Sequence, residues 1–150
     1  MYLYLISVPK LDLLRQLYQK IIIPPSVFSE LAFLDNQKSL LEKEDWIELR
    51  ELNSLSRMPA LLERVDRGEA EAIVLALELK ADLLLIDEQT GRGVAEEYGL
   101  KITGVLGILV KAKREGLIPE VKTCMEKLRD VAGFRIHPKL FEQVLSAIGE

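Results

Sequence analysis

A chain of 150 residues and 17.0 kDa is long enough for one hydrophobic core and too short for two ordinary domains, so a single domain over residues 1–150 is expected. With 49% hydrophobic and 29% charged residues it reads as a folded soluble domain, neither disordered nor membrane-embedded. The formal charge of -4 hides an asymmetry: Ser26 to Leu100 holds 17 acidic and 8 basic residues, whereas Lys111 to Glu150 holds 8 basic and 6 acidic. No strong positive block marks a nucleic-acid footprint. The acidic centre suits a site that gathers a divalent cation, and it suits a solvated acidic surface equally well.

The longest apolar runs, Ile21–Ile23 and Leu83–Ile86, fall far short of the roughly 20 residues needed to span a bilayer. The opening Met1–Ile6 is apolar but has neither a basic leader region nor a small-residue cleavage site, so no export is expected. Cys124 is the single cysteine, which excludes an internal disulfide and a thiolate-rich metal site and fits a reducing cytoplasm.

In chain order, Leu11, Leu13, Leu14, Leu17 and Tyr18 recur at helical spacing over Lys10–Tyr18. Ile21–Ile23 predicts a short strand covered on both faces. Pro24-Pro25 stops it, and Ser26 is a natural N-cap for a helix through Val27, Phe28, Leu31 and Ala32. Asp35–Lys43 reads as a loop or a poorly packed helix end, and Trp46–Leu49 as an edge strand. A helix over Pro59–Val65 leads to a break at Asp66-Arg67-Gly68, after which Glu69 opens a long helix to about Lys80. Leu83–Ile86 is the second buried strand. Thr90–Tyr98 is helical with Gly99 as its C-terminal stop, and Ile102-Thr103 is a minimal strand. Helices follow over Leu106–Glu115, Val121–Val131 and Pro138–Leu145, with Phe134–Ile136 extended between the last two. Helix alternating with short apolar strand predicts a three-layer α/β/α sandwich on a mostly parallel sheet.

Ligands in such sheets gather beyond the carboxyl ends of the strands. Asp87 follows the most apolar strand directly and Glu88 adjoins it; either could serve a site, or cap the next turn or face solvent. Glu30 follows another strand-to-helix crossing. Glu69 and Glu71 sit in the first turn of the long helix, where the macrodipole favours acids in any case; two residues apart, one should face inward and the other outward. Carboxylates around one cleft repel one another, and Mg²⁺ or Mn²⁺ would relieve that repulsion through an all-oxygen ligand set. Arg92 is placed to hold a substrate phosphate or simply to add surface solubility. Gly91-Arg92-Gly93 is too short for a dinucleotide fingerprint, His137 has no catalytic partner in view, and Trp46 and the tyrosines form no stacking platform.

The residues Leu11-Asp12-Leu13-Leu14, Ile22-Ile23-Pro24 with Val27 and Glu30, and Gly68-Glu69-Ala70-Glu71-Ala72-Ile73 carry a resemblance. It continues through Leu84-Leu85-Ile86-Asp87-Glu88 with Gly91-Arg92, then Thr103-Gly104, Leu106-Gly107, Lys111-Ala112-Lys113 and Gly116-Leu117-Ile118-Pro119. In this order they resemble the PIN-domain superfamily, whose VapC-type members are ribonuclease toxins of toxin–antitoxin pairs. The resemblance covers essentially the whole chain and implies a metal-dependent endoribonuclease using Mg²⁺ or Mn²⁺. By it, Glu30 is the second acidic ligand, Glu69 or Glu71 the third and Asp87 the fourth. It also implies RNA as substrate, an antitoxin partner and a homodimer.

The family pattern opens with a strand ending in Asp, whereas Met1–Ser7 resembles the helix after that strand. The expectation is therefore a chain lacking the first strand and its Asp, with sheet edges left for a partner or a domain swap to cover. A second reading follows from it: a catalytically incomplete PIN-like protein that acts as a nucleic-acid- or protein-binding module. A third reading, another hydrolytic α/β protein, uses Asp87 and the sheet edge alone.

Overall fold

The structure, a computed structural model, describes residues 11–33 and 42–150. The sequence expectations for Met1–Ser7, including the missing strand and its Asp, and for most of the Asp35–Lys43 loop lie outside those residues. The described residues divide into two compact units, one of residues 18–103 and the other of Gly104–Glu150 with residues 11–17. Helix α1 (Leu11–Tyr18) buries Leu13 and Leu14 and exposes Asp12, Arg15 and Gln16, the one-sided pattern its leucine spacing predicts.

Within residues 18–103, β1 (Ile21–Ile23) leads into α2 (Pro25–Phe33), and β2 (Ile47–Leu49) returns parallel to β1. The register pairs Ile21 with Ile47, Ile22 with Glu48 and Ile23 with Leu49. Arg50 N–H extends the ladder by donating to the Ile23 carbonyl at 3.0 Å. After the short α3 (Met58–Leu62) comes α4 (Arg67–Leu79), then β3 (Leu84–Leu85), α5 (Gln89–Glu97) and β4 (Ile102–Thr103). β3 and β4 are also parallel, pairing Leu84 with Ile102 and Leu85 with Thr103. Every strand pairing among the described residues is thus parallel, and each strand is reached through helix. This is the α/β organisation the alternation predicts. The described residues form two separate two-stranded sheets.

α4 is the helix the rest of this unit is built on. Gly68, Ala70, Glu71, Ile73, Val74, Leu75 and Ala76 are all buried, so apolar packing covers it on most sides rather than along one stripe. It packs against α2, α3 and β3. Ile23 and Leu31 join it in the core at 0% and 2% exposure. α5 ends where predicted: Gly99 takes φ +77 just past the Tyr98 cap, a conformation that costs a glycine nothing and other residues about 1–2 kcal/mol.

In the other unit, α6 (Val105–Arg114) buries Val105, Ile108, Leu109 and Ala112, and α7 (Val121–Asp130) buries Val121, Cys124, Met125 and Leu128. Both follow the i, i+3, i+4, i+7 spacing of an amphipathic helix. α8 (Pro138–Ile148) packs on both. One local expectation is corrected. α2 begins at Pro25 rather than after a Ser26 cap, because proline supplies the first helical φ without needing an N–H partner. Phe134–Ile136 pairs with no strand and leads to His137, whose Nδ1 caps α8 by accepting the Lys139 N–H at 3.2 Å. Among the described residues, no helix is long and apolar enough to cross a membrane.

Candidate functional site

The site is organised by the start of α4. Asp66 is its N-cap, extended at φ -68 and ψ 171, and its Oδ1 accepts the Glu69 N–H at 2.8 Å. Glu69 Oε2 reaches back to accept the Asp66 N–H at 3.4 Å, completing a capping box. What the sequence suggests is a break at Asp66-Arg67-Gly68 is therefore the helix's first turn. The Asp66-x-x-Glu69 spacing is the signal that identifies it.

Glu88, the N-cap residue of α5, brings a third carboxylate to the same place. One oxygen from each of Asp66, Glu69 and Glu88 lies within 4.8 Å of the other two. Glu30, on α2, reaches the same turn. Its Oε1 and Asp66 Oδ1 both lie against Gly68, 3.1 and 3.5 Å from where a Cβ would stand. Glu30 as a residue is exposed, but its carboxyl tip is the part drawn in. Loss of water there, then the charges of Asp66 and Glu71, raise its pKa. Glu69 is pushed further, to about 7, first by burial and then by the charges of Asp66 and Glu88.

Glu71 behaves differently. It is 5% exposed, and its Oε2 accepts the Ser26 N–H at 2.8 Å while Oε1 accepts from Arg67 Nε at 3.3 Å. Ser26 lies in the first turn of α2, where the N–H has no partner within its own helix. A carboxylate from α4 thus caps α2, where the helix dipole favours negative charge. Of the two glutamates in the first turn of α4, Glu69 joins the acidic cluster. Glu71 pins the helix that carries Glu30.

Asp87 occupies the junction between β3 and α5, half-buried, with its Oδ2 sealed from solvent. Arg92, one turn into α5, donates from Nη1 to the Ile86 carbonyl at 3.3 Å, which ties its guanidinium to the carboxyl end of β3. The structure therefore brings Glu69 and Glu88 together, sets Glu30 beside Asp66, and places Asp87 and Arg92 at the strand tip next to Glu88. Asp66 is the residue the sequence does not single out.

These residues fit a hard divalent cation on their own chemistry. Every donor is a carboxylate oxygen. The reciprocal cap uses Asp66 Oδ1 and Glu69 Oε2, leaving the second oxygen of each outside the cap. The repulsion that raises Glu69 to about 7 is the repulsion a cation removes.

A carboxylate cluster at the starts of α4 and α5 gives this α/β protein an acidic edge. A family model described as a PIN domain matches residues 2–150, and the chain belongs to that family. PIN domains form a nuclease superfamily, so fold and acidic cluster agree. No curated protein and no solved structure matches the chain.

Proposed function

We propose that this protein is a divalent-metal-dependent endoribonuclease, with Mg²⁺ or Mn²⁺ as its ion. The observation that carries the reading is the meeting of Asp66, Glu69 and Glu88 within 4.8 Å in a PIN-domain chain. Glu30, Glu69 and Asp87 are the ligands expected from sequence, and the geometry adds Asp66 and Glu88 as candidates. When bound, such an ion supplies a positive charge that orients water and offsets charge developing on the phosphodiester. The chain's own residues do the rest. Asp66 and Glu69 are held rigid by their reciprocal cap, Glu71 keeps α2 and therefore Glu30 in register, and Arg92 offers guanidinium N–H groups to a substrate phosphate. In hydrolysis the water oxygen bonds to phosphorus, the bond to the leaving sugar oxygen breaks, the water's proton passes to solvent or to a nearby carboxylate, and the leaving oxygen takes a proton from solvent to become a hydroxyl.

The likeness to VapC-type toxins supports a finer reading: a toxin of a toxin–antitoxin pair, acting on RNA, working in the cytoplasm as a homodimer of single-domain subunits and neutralised by an antitoxin. Cleavage of single-stranded and hairpin RNAs, with Mn²⁺ or Mg²⁺ and with chelator, tests the activity beside Asp87→Asn and Glu69→Gln. Metal-dependent cutting that both substitutions abolish is the expected result. Equal cutting by all three proteins sinks the site assignment. No cutting by a folded wild-type protein leaves the binding-module reading in its place.

A further inference from the structure

We propose that Gly68 and Gly91 are positioning residues of the acidic site: their missing side chains hold open the space in which the Glu30 and Glu69 carboxylates lie. The inference rests on the metal-site reading above and deepens it.

Both glycines stand inside the first turn of a helix and neither has a positive φ, so no turn or left-handed cap requires glycine at either position. Glycine in a helix is otherwise a disadvantage relative to alanine. At Gly68 the atom closest to a would-be Cβ is Glu30 Oε1 at 3.1 Å. The next two, Asp66 Oδ1 at 3.5 Å and Val27 Cγ2 at 3.6 Å, are ordinary contacts. Helix packing alone would therefore admit alanine, and only the Glu30 carboxylate stands in its way. At Gly91 a Cβ would meet Glu69 Oε1 at 2.6 Å and Ile86 Cδ1 at 2.7 Å. The Glu69 carboxyl thus rests on the first turn of α5, close to Glu88. Gly93, two residues on in the same helix, supplies the contrast. Nothing lies within 4 Å of its would-be Cβ.

At position 68 the obstructing atom is the tip of a flexible side chain, so alanine should displace the carboxylate and leave the fold intact. At position 91 the obstruction includes Ile86, itself 2% exposed, so alanine should disturb both carboxylate and core.

Mn²⁺ binding by titration calorimetry, together with thermal unfolding in chelator, tests this on the full chain. Gly68→Ala is expected to unfold at or above the wild-type temperature while binding Mn²⁺ roughly 10-fold or more weakly, the scale of lost support around a metal ligand. In a Glu30→Gln background the same change should have no further effect on affinity, because its only route to the site is Glu30. Gly93→Ala should raise the unfolding temperature and leave affinity unchanged. Gly91→Ala should lose affinity and some stability, and if it does not fold, Gly68→Ala and its double mutant carry the test. Wild-type affinity in Gly68→Ala, or an equal loss in the Glu30→Gln background, overturns the inference and leaves the metal reading standing. A wild-type protein that binds no Mn²⁺ overturns both.

Discussion

Glu69 in the unit of residues 18–103 and Glu150 in the other unit both carry their carboxylates to the first turn of a helix, and their surroundings push them in opposite directions. Glu150 Oε2 accepts the Val121 N–H at 2.8 Å and Oε1 the Lys122 N–H at 3.1 Å, with Lys113 Nζ 4.0 Å away. Those bonds first, and the nearby lysines after them, lower its pKa. Glu69 has one long backbone bond, partial burial and two acidic neighbours, and its pKa rises to about 7. The first is a cap whose charge is fully answered. The second is a cap crowded with like charge, an arrangement that disfavours the folded protein unless something positive arrives. Perturbed carboxylates of this second kind concentrate where proteins bind and react.

The sharpest way to break the contrast is through activity. Asp87→Asn and Glu69→Gln should each reduce metal-dependent RNA cleavage by at least about 100-fold, since ligands should matter no less than the groups that orient them. Glu150→Gln should cut at the wild-type rate. Comparable losses from all three in folded proteins would mean that the difference between the two caps has no functional content.

Stability separates Glu69 from its neighbour in the same turn. Glu71→Ala removes a buried acceptor from the Ser26 N–H and a partner from Arg67, leaving an orphaned donor at the start of α2. The expected cost is about 2 kcal/mol, measured by urea unfolding at pH 7. A cost below about 0.5 kcal/mol would show that water replaces Glu71 without penalty and that α2 does not depend on it.

How much of the fold and site is legible in sequence depends on the kind of interaction. Elements set by periodicity are readable: α6 and α7 each follow one apolar stripe, and Ile21–Ile23 and Leu84-Leu85 are short apolar runs bounded by turns. Candidate site residues near strand-to-helix crossings are readable too, which is why Glu30, Asp87 and Glu88 stand out from their place in the chain alone. Asp66 does not, because a glycine and two charges around it resemble a loop, and only its reciprocal bonds with Glu69 show a helix beginning there. The division of labour between Glu69 and Glu71 is equally hidden. Both lie in one turn, and what separates them is a hydrogen bond to Ser26, 45 residues away in the chain.

The charge on Glu69 can be read directly from pH dependence in chelator. Its folded pKa of about 7 lies above the ordinary 4.5, so the folded state holds the proton more tightly. Its contribution is fully favourable below about pH 4.5 and is lost as pH rises through 7. Glu69→Gln keeps an oxygen to accept the Asp66 N–H and never ionises. It should therefore be more stable than wild type at pH 8, by on the order of 1 kcal/mol once contact with solvent is discounted, and the advantage should vanish near pH 4.5. Added Mn²⁺ should reverse the order at pH 8 by stabilising only the protein with its carboxylate intact. A Gln variant less stable than wild type at pH 8 in chelator would show that the acidic cluster carries no repulsion to relieve.

Glu150→Gln should give the mirror image and the smallest effect. A lowered folded pKa means that the group stabilises the fold above its ordinary value of 4.5 and ceases to do so as pH falls through the lower folded value. The variant should therefore melt below wild type at pH 7 and together with it in strong acid, and Mn²⁺ should change neither result. Both carboxylates accept backbone N–H groups at the start of a helix, Glu69 in its own and Glu150 across to α7, so opposite pH slopes would trace the difference to their neighbours. Asp66 and Glu88 stand beside one, and Lys113 and Lys122 beside the other. If the slopes instead share a sign, helix position governs both groups, and the crowding at the start of α4 loses its claim to be a prepared cation site.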